Sequence, residues 1–307
     1  MTAPRVPAGP DAALVAWMLL LTAIWGLGAL AAKVLTQGIA PAMAAGLRGV
    51  LALAVLTLYG VAVRKAFRAP GNAARLAAIT GLMLALDFLL FFSGARLTTA
   101  GQVSIFINTA PLFVAVGAHF MLPNDRMYPA KAAGLAVSFA GILTLFSADL
   151  LDGAAGHWRG NLLVLASSFS WGASTLVIKR FLSGHLTAFL LLYLRLLVST
   201  PLILAYSWLF EPRPFFAVTP LTLLMLVYQA LVVIVFSYMM WLWLLNRYPA
   251  SRLQSYTVLS PLWAVVLGVA WLGEQVTPVM AGGMALVGAG LLLVARPAPR
   301  PTAQSEP

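Results

Sequence analysis

Apolar runs, each long enough for one helical crossing of a bilayer at about 20 residues, follow one another along nearly the whole chain. Hydropathy predicts ten helices, over about residues 12–32, 42–63, 74–94, 98–120, 127–147, 160–179, 186–209, 219–245, 250–272 and 277–295. Turn formers and charges mark the connections: Pro41, Arg64-Lys65 to Pro70-Gly71, Pro123-Asn124-Asp125, Asp149 to Gly156, Pro212 to Pro214, Pro249 and Gly273-Glu274. The first run could pass for a secretory signal. It is too long for one, and it has a counterpart inside the chain, so it is expected to be a retained helix.

Two stretches repeat. Thr98 to Leu122 and Tyr248 to Leu272, set 150 residues apart, align Ala100 with Ala250, Pro111 with Pro261, Leu112 with Leu262, Val116 with Val266 and Leu122 with Leu272. Proline inside a helix removes a hydrogen bond and bends it, so a shared central proline predicts a shared bend. Trp25-Gly26 with Lys33 eight residues after the Trp matches Trp171-Gly172 with Lys179 eight after. Arg48 and Arg195 then follow, 23 and 24 residues after each Trp. Five helices per half put the second half upside down relative to the first, the pattern of an inverted-repeat transporter with a central site.

The expected fold is therefore an all-α membrane protein of ten transmembrane helices in two inverted five-helix repeats. The segments are 1–11 (N-terminal), 12–147 (first repeat), 148–159 (periplasmic linker), 160–295 (second repeat) and 296–307 (disordered tail). Lys and Arg set the orientation. Lys33, Arg96, Arg159 and Arg213 fall on one side, Arg48 and Arg195 within spans, and the remaining thirteen of the 19 on the N-terminal side. Both termini are thus expected in the cytoplasm.

Composition agrees. The chain is 62% hydrophobic and 9% charged, against about 25% charged in soluble domains, which leaves no room for a soluble domain. The net charge of +11 is scattered between apolar runs, so no nucleic-acid partner is expected. The absence of cysteine excludes disulfides, thiolate metal sites and cysteine nucleophiles. No phosphate loop, HExxH or GxSxG is present, so neither a cofactor nor a metal nor catalysis is expected.

Leu259-Ser260-Pro261-Leu262, then Leu272-Gly273-Glu274 and the glycines Gly282, Gly283, Gly288 and Gly290, resemble the EamA family of the drug/metabolite transporter superfamily. Trp171-Gly172 through Lys179 is similar to the start of the same module. The first half departs from the pattern, with Pro123-Asn124-Asp125 where the second has Gly273-Glu274. The resemblance covers nearly the whole chain. It implies a ten-helix inverted-repeat carrier, often an exporter of amino acids or other small metabolites, without fixing the substrate.

Polar groups inside the spans are the candidate site. Asp87 is the one carboxylate well inside a span, and an intramembrane charge is functional by default. Arg48 lies at a similar depth, roughly 10 Å from the same face, so the two could form a structural ion pair. Alternatively, Asp87 lines a cavity and meets a substrate amine or a proton. Thr99, Gln102, Phe106 and Thr109 form one stripe with Asn108 beside it; these groups either bond neighbouring helices or face a wet cavity. Trp25 and Trp171 are too deep for an interfacial belt and either pack or line the cavity. Of the aromatics in helices three and eight, Tyr228 and Tyr238 are substrate candidates, and Trp241 and Trp243 are expected as interfacial anchors. The candidate substrate-binding set is Trp25, Asp87, Gln102, Phe106, Asn108, Trp171, Tyr228 and Tyr238, with Pro111 and Pro261 as bends that widen the cavity. The second copy has Arg252, Val258 and Leu259 where the first has Gln102, Asn108 and Thr109, so the site is expected to lean on the first. Glycines at Gly134 and Gly141 and at Gly283 and Gly290 predict close packing of helices five and ten.

These features predict a secondary transporter of the inner membrane, a monomer or weak homodimer in the lipid bilayer. It exports a small-molecule substrate by alternating access, foremost a hydrophobic or aromatic amino acid. The alternatives are a sugar-phosphate or nucleotide-sugar exchanger or a multidrug exporter. An exchanger of phosphorylated solutes would carry more intramembrane Lys and Arg. A membrane-embedded enzyme or a channel is the reading from another class.

Overall fold

The computed structural model describes residues 12–122, 127–151, 157–248, 250, 253, 256–273 and 275–294. Residues 1–11, Pro123, Asn124, Asp125, residues 152–156, Pro249, Arg252, Glu274 and the tail 296–307 lie outside the described residues, as does the side chain of Val258. The described chain is helical: α1 (Ala12–Leu35), α2 (Pro41–Ala62), α3 (Gly71–Leu97), α4 (Ala100–Met121), α5 (Pro129–Leu151), α6 (Trp158–Leu182), α7 (Ala188–Phe210), α8 (Pro220–Arg247), α9 (Ser260–Leu272) and α10 (Pro278–Val294). Seven of these are long and apolar enough to cross a membrane, while α5, α9 and α10 contribute shorter apolar stretches. The connection between α5 and α6 is shorter than the expected 148–159, because both helices extend into it.

An apolar core is enclosed by an outer surface that is apolar as well. Large apolar side chains such as Phe120 (80% exposed) and Trp208 (83%) point outward, where the surrounding medium is lipid. Arg48, Asp87, Asn161, Arg195 and Gln229 are buried inside. A polar group in hydrocarbon must find a protein partner, so these side chains hold the interior together.

Helix packing is exchanged between the two halves. α3 packs on α6 and α7, and α8 packs on α1 and α2; α1 meets α9 as α6 meets α4; α2 meets α7, and α5 meets α10. The Trp-Gly pairs explain one of these crossings. A Cβ on Gly26 would collide with Trp263, Ser260 and Ala264 of α9, and one on Gly172 would crowd Ala110 and Phe113 of α4. Each glycine admits the helix that begins at the other half's proline. In α5 and α10, Gly141 lies against the backbone of Gly283 and Val287, and Gly290 against that of Gly134.

The repeated lysines close helix ends. Lys33 Nζ donates to the carbonyls of Arg96 (3.2 Å) and Thr98 (2.5 Å), where α3 stops. Lys179 Nζ does the same at the end of α8, to Leu245 (2.7 Å) and Tyr248 (3.1 Å). Terminal carbonyls lack intrahelical donors and carry partial negative charge, so an ammonium suits them.

At the end of the bundle that holds residues 36–40 and 211–219, the halves are clasped. Glu211 accepts from the backbone N–H groups of Ala42 (2.8 Å) and Met43 (2.9 Å), capping α2, and from Ser207 Oγ (2.7 Å). Ala40 N donates to Pro214 O, and Phe216 N and Ala217 N donate to Gly38 O. At the opposite end, Phe67 meets Tyr193 and Phe189 with ring centroids 4.9 and 5.8 Å apart.

Gly26→Val should lower the thermal stability of the purified protein in detergent by about 1–3 kcal/mol through overpacking against α9. The same exchange at Gly71, where an added Cβ meets nothing, should lower it less. Equal melting temperatures for the two variants would mean that the α1–α9 crossing does not depend on the glycine.

Candidate functional site

The helices that carry Pro111 and Pro261 are both interrupted. α4 is two segments, Ala100–Ile107 and Ala110–Met121, joined at Asn108 and Thr109, with Pro111 in the first turn of the second. A turn of 3-10 helix, Thr257–Leu259, leads into α9, where Pro261 holds the same place. Proline has no N–H to donate backward, and at the break in α4 side chains add to the backbone bonds of the preceding turn. Asn108 Nδ2 donates to Ser104 O, and Thr109 Oγ1 to Phe106 O, both at 2.7 Å. Thr109 also bonds Ser168 of α6 at 2.8 Å.

α8 departs from α-helical form in another way. Tyr228–Tyr238 is π-helix, with i→i+5 bonding. Nine residues make two and a half turns of an α-helix, which would set Gln229 and Tyr238 on opposite faces. In the wider π-helix nine residues make about two turns, and Gln229, Val233 and Tyr238 all face inward.

These irregular segments surround a cavity of about 100 Å³. Trp25 and Gly28 of α1, Arg48 of α2, Asp87, Phe88 and Phe91 of α3, Asn108 and Pro111 of α4, Trp171 of α6, Gln229 and Tyr238 of α8, and Thr257 before α9 line it. Arg48 (2% exposed) is wedged against the rings of Phe88 and Phe92, 3.9 and 4.3 Å from their centroids, where cation–π attraction offsets part of its desolvation. Its Nη1 donates to Gln229 Oε1 at 2.7 Å, and Gln229 Nε2 donates onward to Gly28 O at 2.7 Å. One carboxamide therefore ties α8 to both α1 and α2. Asp87 (4% exposed) accepts a 2.5 Å hydrogen bond from Ser167 Oγ of α6. The direct Arg48–Asp87 ion pair is not formed: Arg48 bonds Gln229 and reaches the Tyr238 hydroxyl, Asp87 bonds Ser167, and the two charges act on one another through space.

The remaining wall is aromatic. Trp25 Nε1 donates to Ser237 Oγ at 3.0 Å. The Trp25 ring meets Trp241 edge-on at 5.5 Å, while Trp171 lies 5.1 Å from Tyr238 and 6.3 Å from Trp241.

Of the candidate residues, Trp25, Asp87, Asn108, Trp171 and Tyr238 come together here, with Pro111. Gln102, Phe106 and Tyr228 are not in the lining. Gln102 accepts from Thr98 Oγ1, which also bonds Asn161 of α6; Phe106 is core; and the Tyr228 hydroxyl donates to Ile24 O. Pro261 borders a second, apolar hollow of about 400 Å³ between α4, α9 and α10, which reaches the central lining at Asn108. Trp241 is not an interfacial anchor: it is 2% exposed and supports the two tryptophans from behind. Trp243 does sit near its helix end, 3.8 Å beneath the Arg247 guanidinium. Arg195, which follows Trp171 at nearly the spacing at which Arg48 follows Trp25, is bound structurally, to Ser174 Oγ (2.9 Å) and Thr80 O (3.4 Å). Gln229 went unselected in the sequence. Its signal was that of a lone carboxamide in an apolar span.

Gln229→Leu removes the acceptor of a buried guanidinium and the donor to Gly28 O. It should destabilise the detergent-purified protein by about 2–4 kcal/mol, and Tyr228→Phe, which removes one hydroxyl, by about 1 kcal/mol. Thermal unfolding measures the difference, and equal losses would show that Gln229 does not hold Arg48.

Comparison with known proteins places this geometry in a family. The model of the EamA-like transporter family matches residues 13–147 and 158–296. An uncharacterised transporter of Bacillus subtilis, YoaV, is 27% identical over 89% of this chain and 93% of its own. Probable amino-acid metabolite efflux pumps of Salmonella typhimurium and Escherichia coli are 27% and 26% identical, each over 90% of this chain and 92% of theirs. One solved crystal structure superposes with a TM-score of 0.68 at 21% identity, over 92% of this chain and 97% of its own, which shows a shared fold.

Proposed function

The chain belongs to the EamA-like transporter family, and from that premise we propose that it exports small organic solutes across the inner membrane by alternating access. Amino acids with hydrophobic or aromatic side chains are the foremost substrates. The observation that carries this reading is the central cavity. Helices of both halves build it, aromatic rings wall it, and it holds one cation and one anion. The names of the two enterobacterial relatives, probable amino-acid metabolite efflux pumps, support both the solute class and the direction. A phosphorylated solute fits less well, because Arg48 is the only cation in the described lining and Asp87 opposes it.

Ten crossings in two inverted halves, 12–147 and 160–295, are part of the proposal. Its supports are the family match to two successive stretches and the exchange of packing partners between halves. The distribution of Lys and Arg assigns the Glu211 clasp to the periplasmic side and the Phe67 cluster to the cytoplasmic side. Release to the periplasm then requires the clasp to open while the aromatic cluster stays closed, and uptake from the cytoplasm the reverse. At about 100 Å³ the cavity is tighter than ordinary ligand pockets of roughly 300–1,000 Å³, so it must widen to take up a solute. The protein is proposed to work as a monomer or weak homodimer.

Purified protein in proteoliposomes should show saturable uptake of phenylalanine or leucine that accelerates with unlabelled amino acid on the opposite side. A linear, non-saturating flux would indicate a channel and defeat the reading. The chain has no cysteine, so a single reporter, Ile107→Cys in the cavity, is clean. Adding Glu211→Ala should raise its labelling by an impermeant maleimide from the periplasmic side several-fold. Unchanged labelling would remove the clasp from the gating cycle.

A further inference from the structure

Two opposite charges border one small cavity without touching each other. Burying an ion in a low-dielectric interior is expensive, and direct pairing is the usual remedy. Here the cation and anion lean instead on neutral side chains, Gln229 and Ser167. The flanking rings of Phe88 and Phe92 fix the guanidinium in place.

Arg48 also keeps a donor in reserve. Its Nε is buried and has no hydrogen-bond partner, whereas Nη1 is committed to Gln229. A guanidinium prefers to meet a carboxylate with two parallel N–H groups, and the unfilled Nε is half of such a fork. Asp87 receives one hydrogen bond among the described residues, from Ser167, and a carboxylate accepts several. Both charges border the cavity and neither is fully hydrogen-bonded, so an anion at one and a cation at the other would complete them, with zero net charge from the pair.

We infer that the solute is seated as a zwitterion, with its carboxylate on Arg48 and its ammonium on Asp87. The substrate class is thus amino acids in which both groups are unblocked. The inference rests on the transporter reading above and sharpens it. The solute's side chain lies against the apolar wall of Phe91 and Trp171, which accepts aliphatic and aromatic groups by contact area and asks for no further charge. Such a seat selects by difference. A solute lacking either charge leaves one buried ion uncompensated, which loses more binding than the missing contact itself.

The test uses the full chain in proteoliposomes, with labelled phenylalanine in counterflow and two competitors of the same ring. Phenylalaninamide lacks the carboxylate, and 3-phenylpropionate lacks the amine. Each should compete about tenfold or more weakly than phenylalanine. Asp87→Asn should erase most of the discrimination against 3-phenylpropionate and keep that against the amide. Arg48→Gln should do the reverse, and Arg48→Lys should retain part of the wild-type preference. Equal competition by blocked and unblocked compounds in the unaltered protein overturns the inference, whether or not the variants fold. So do variants that weaken all three ligands in proportion. If no amino acid exchanges saturably, the transporter reading falls as well; saturable exchange with equal competition sinks the zwitterion seat alone.

Discussion

A backbone group cut loose inside hydrocarbon must find its partner within the protein, and the centre of this molecule depends on that constraint. Pro111 and Pro261 interrupt two helices at equivalent places. Each interruption is tolerated because another helix presses close to it, and the closeness is possible because Gly26 and Gly172 have no side chain. At the break in α4, Asn108 and Thr109, residues that would weaken an uninterrupted helix, add side-chain bonds to the carbonyls of Ser104 and Phe106. Bend and glycine are used once by each half on the other, and the polar side chains are added only at the break in α4.

Around that device the polar interior is asymmetric. Arg48 and Arg195 follow Trp25 and Trp171 at nearly the same spacing, yet Arg48 borders the cavity through Phe88 and Gln229, while Arg195 is consumed in bonds to Ser174 and Thr80. Asp87 of α3 borders the cavity, while Ser237 of α8 serves Trp25. Two similar halves thus supply a scaffold of matching crossings, and the chemistry at its centre comes from the places where they differ.

Much of this was legible in the sequence. The Trp-Gly-to-Lys spacing, the paired prolines and the glycines of α5 and α10 all correspond to contacts in the fold, because rare residue types at fixed offsets survive the noise of an apolar chain. Asp87, Asn108, Trp25, Trp171 and Tyr238 were findable for the same reason: polarity or bulk at depth is costly and must be explained. What the pattern hid depended on geometry. Gln229 and Tyr238 stand on opposite faces of any α-helix, so only the π-helical stretch reveals them as neighbours. Gln102 and Phe106 share a stripe with Thr109, but the break at Asn108 turns that stripe away from the centre. Trp241 reads as an end-of-helix residue, whereas the tilt and packing of α8 bury it behind Trp25. Glu211 lay in a loop among prolines, with nothing local to mark it as a cap for a helix 169 residues earlier.

That cap bears on how the molecule is made. Chains enter the membrane from the N-terminus onward during synthesis, so α2 arrives with its leading N–H groups exposed well before α7 delivers Glu211. α1 and α4 likewise wait for α9 and α6 before their close crossings exist. The first half is therefore an unfinished object throughout its synthesis. It gains its closest crossings only when the second half threads in beside it, so the two make a single cooperative unit of assembly rather than two domains that fold and then dock.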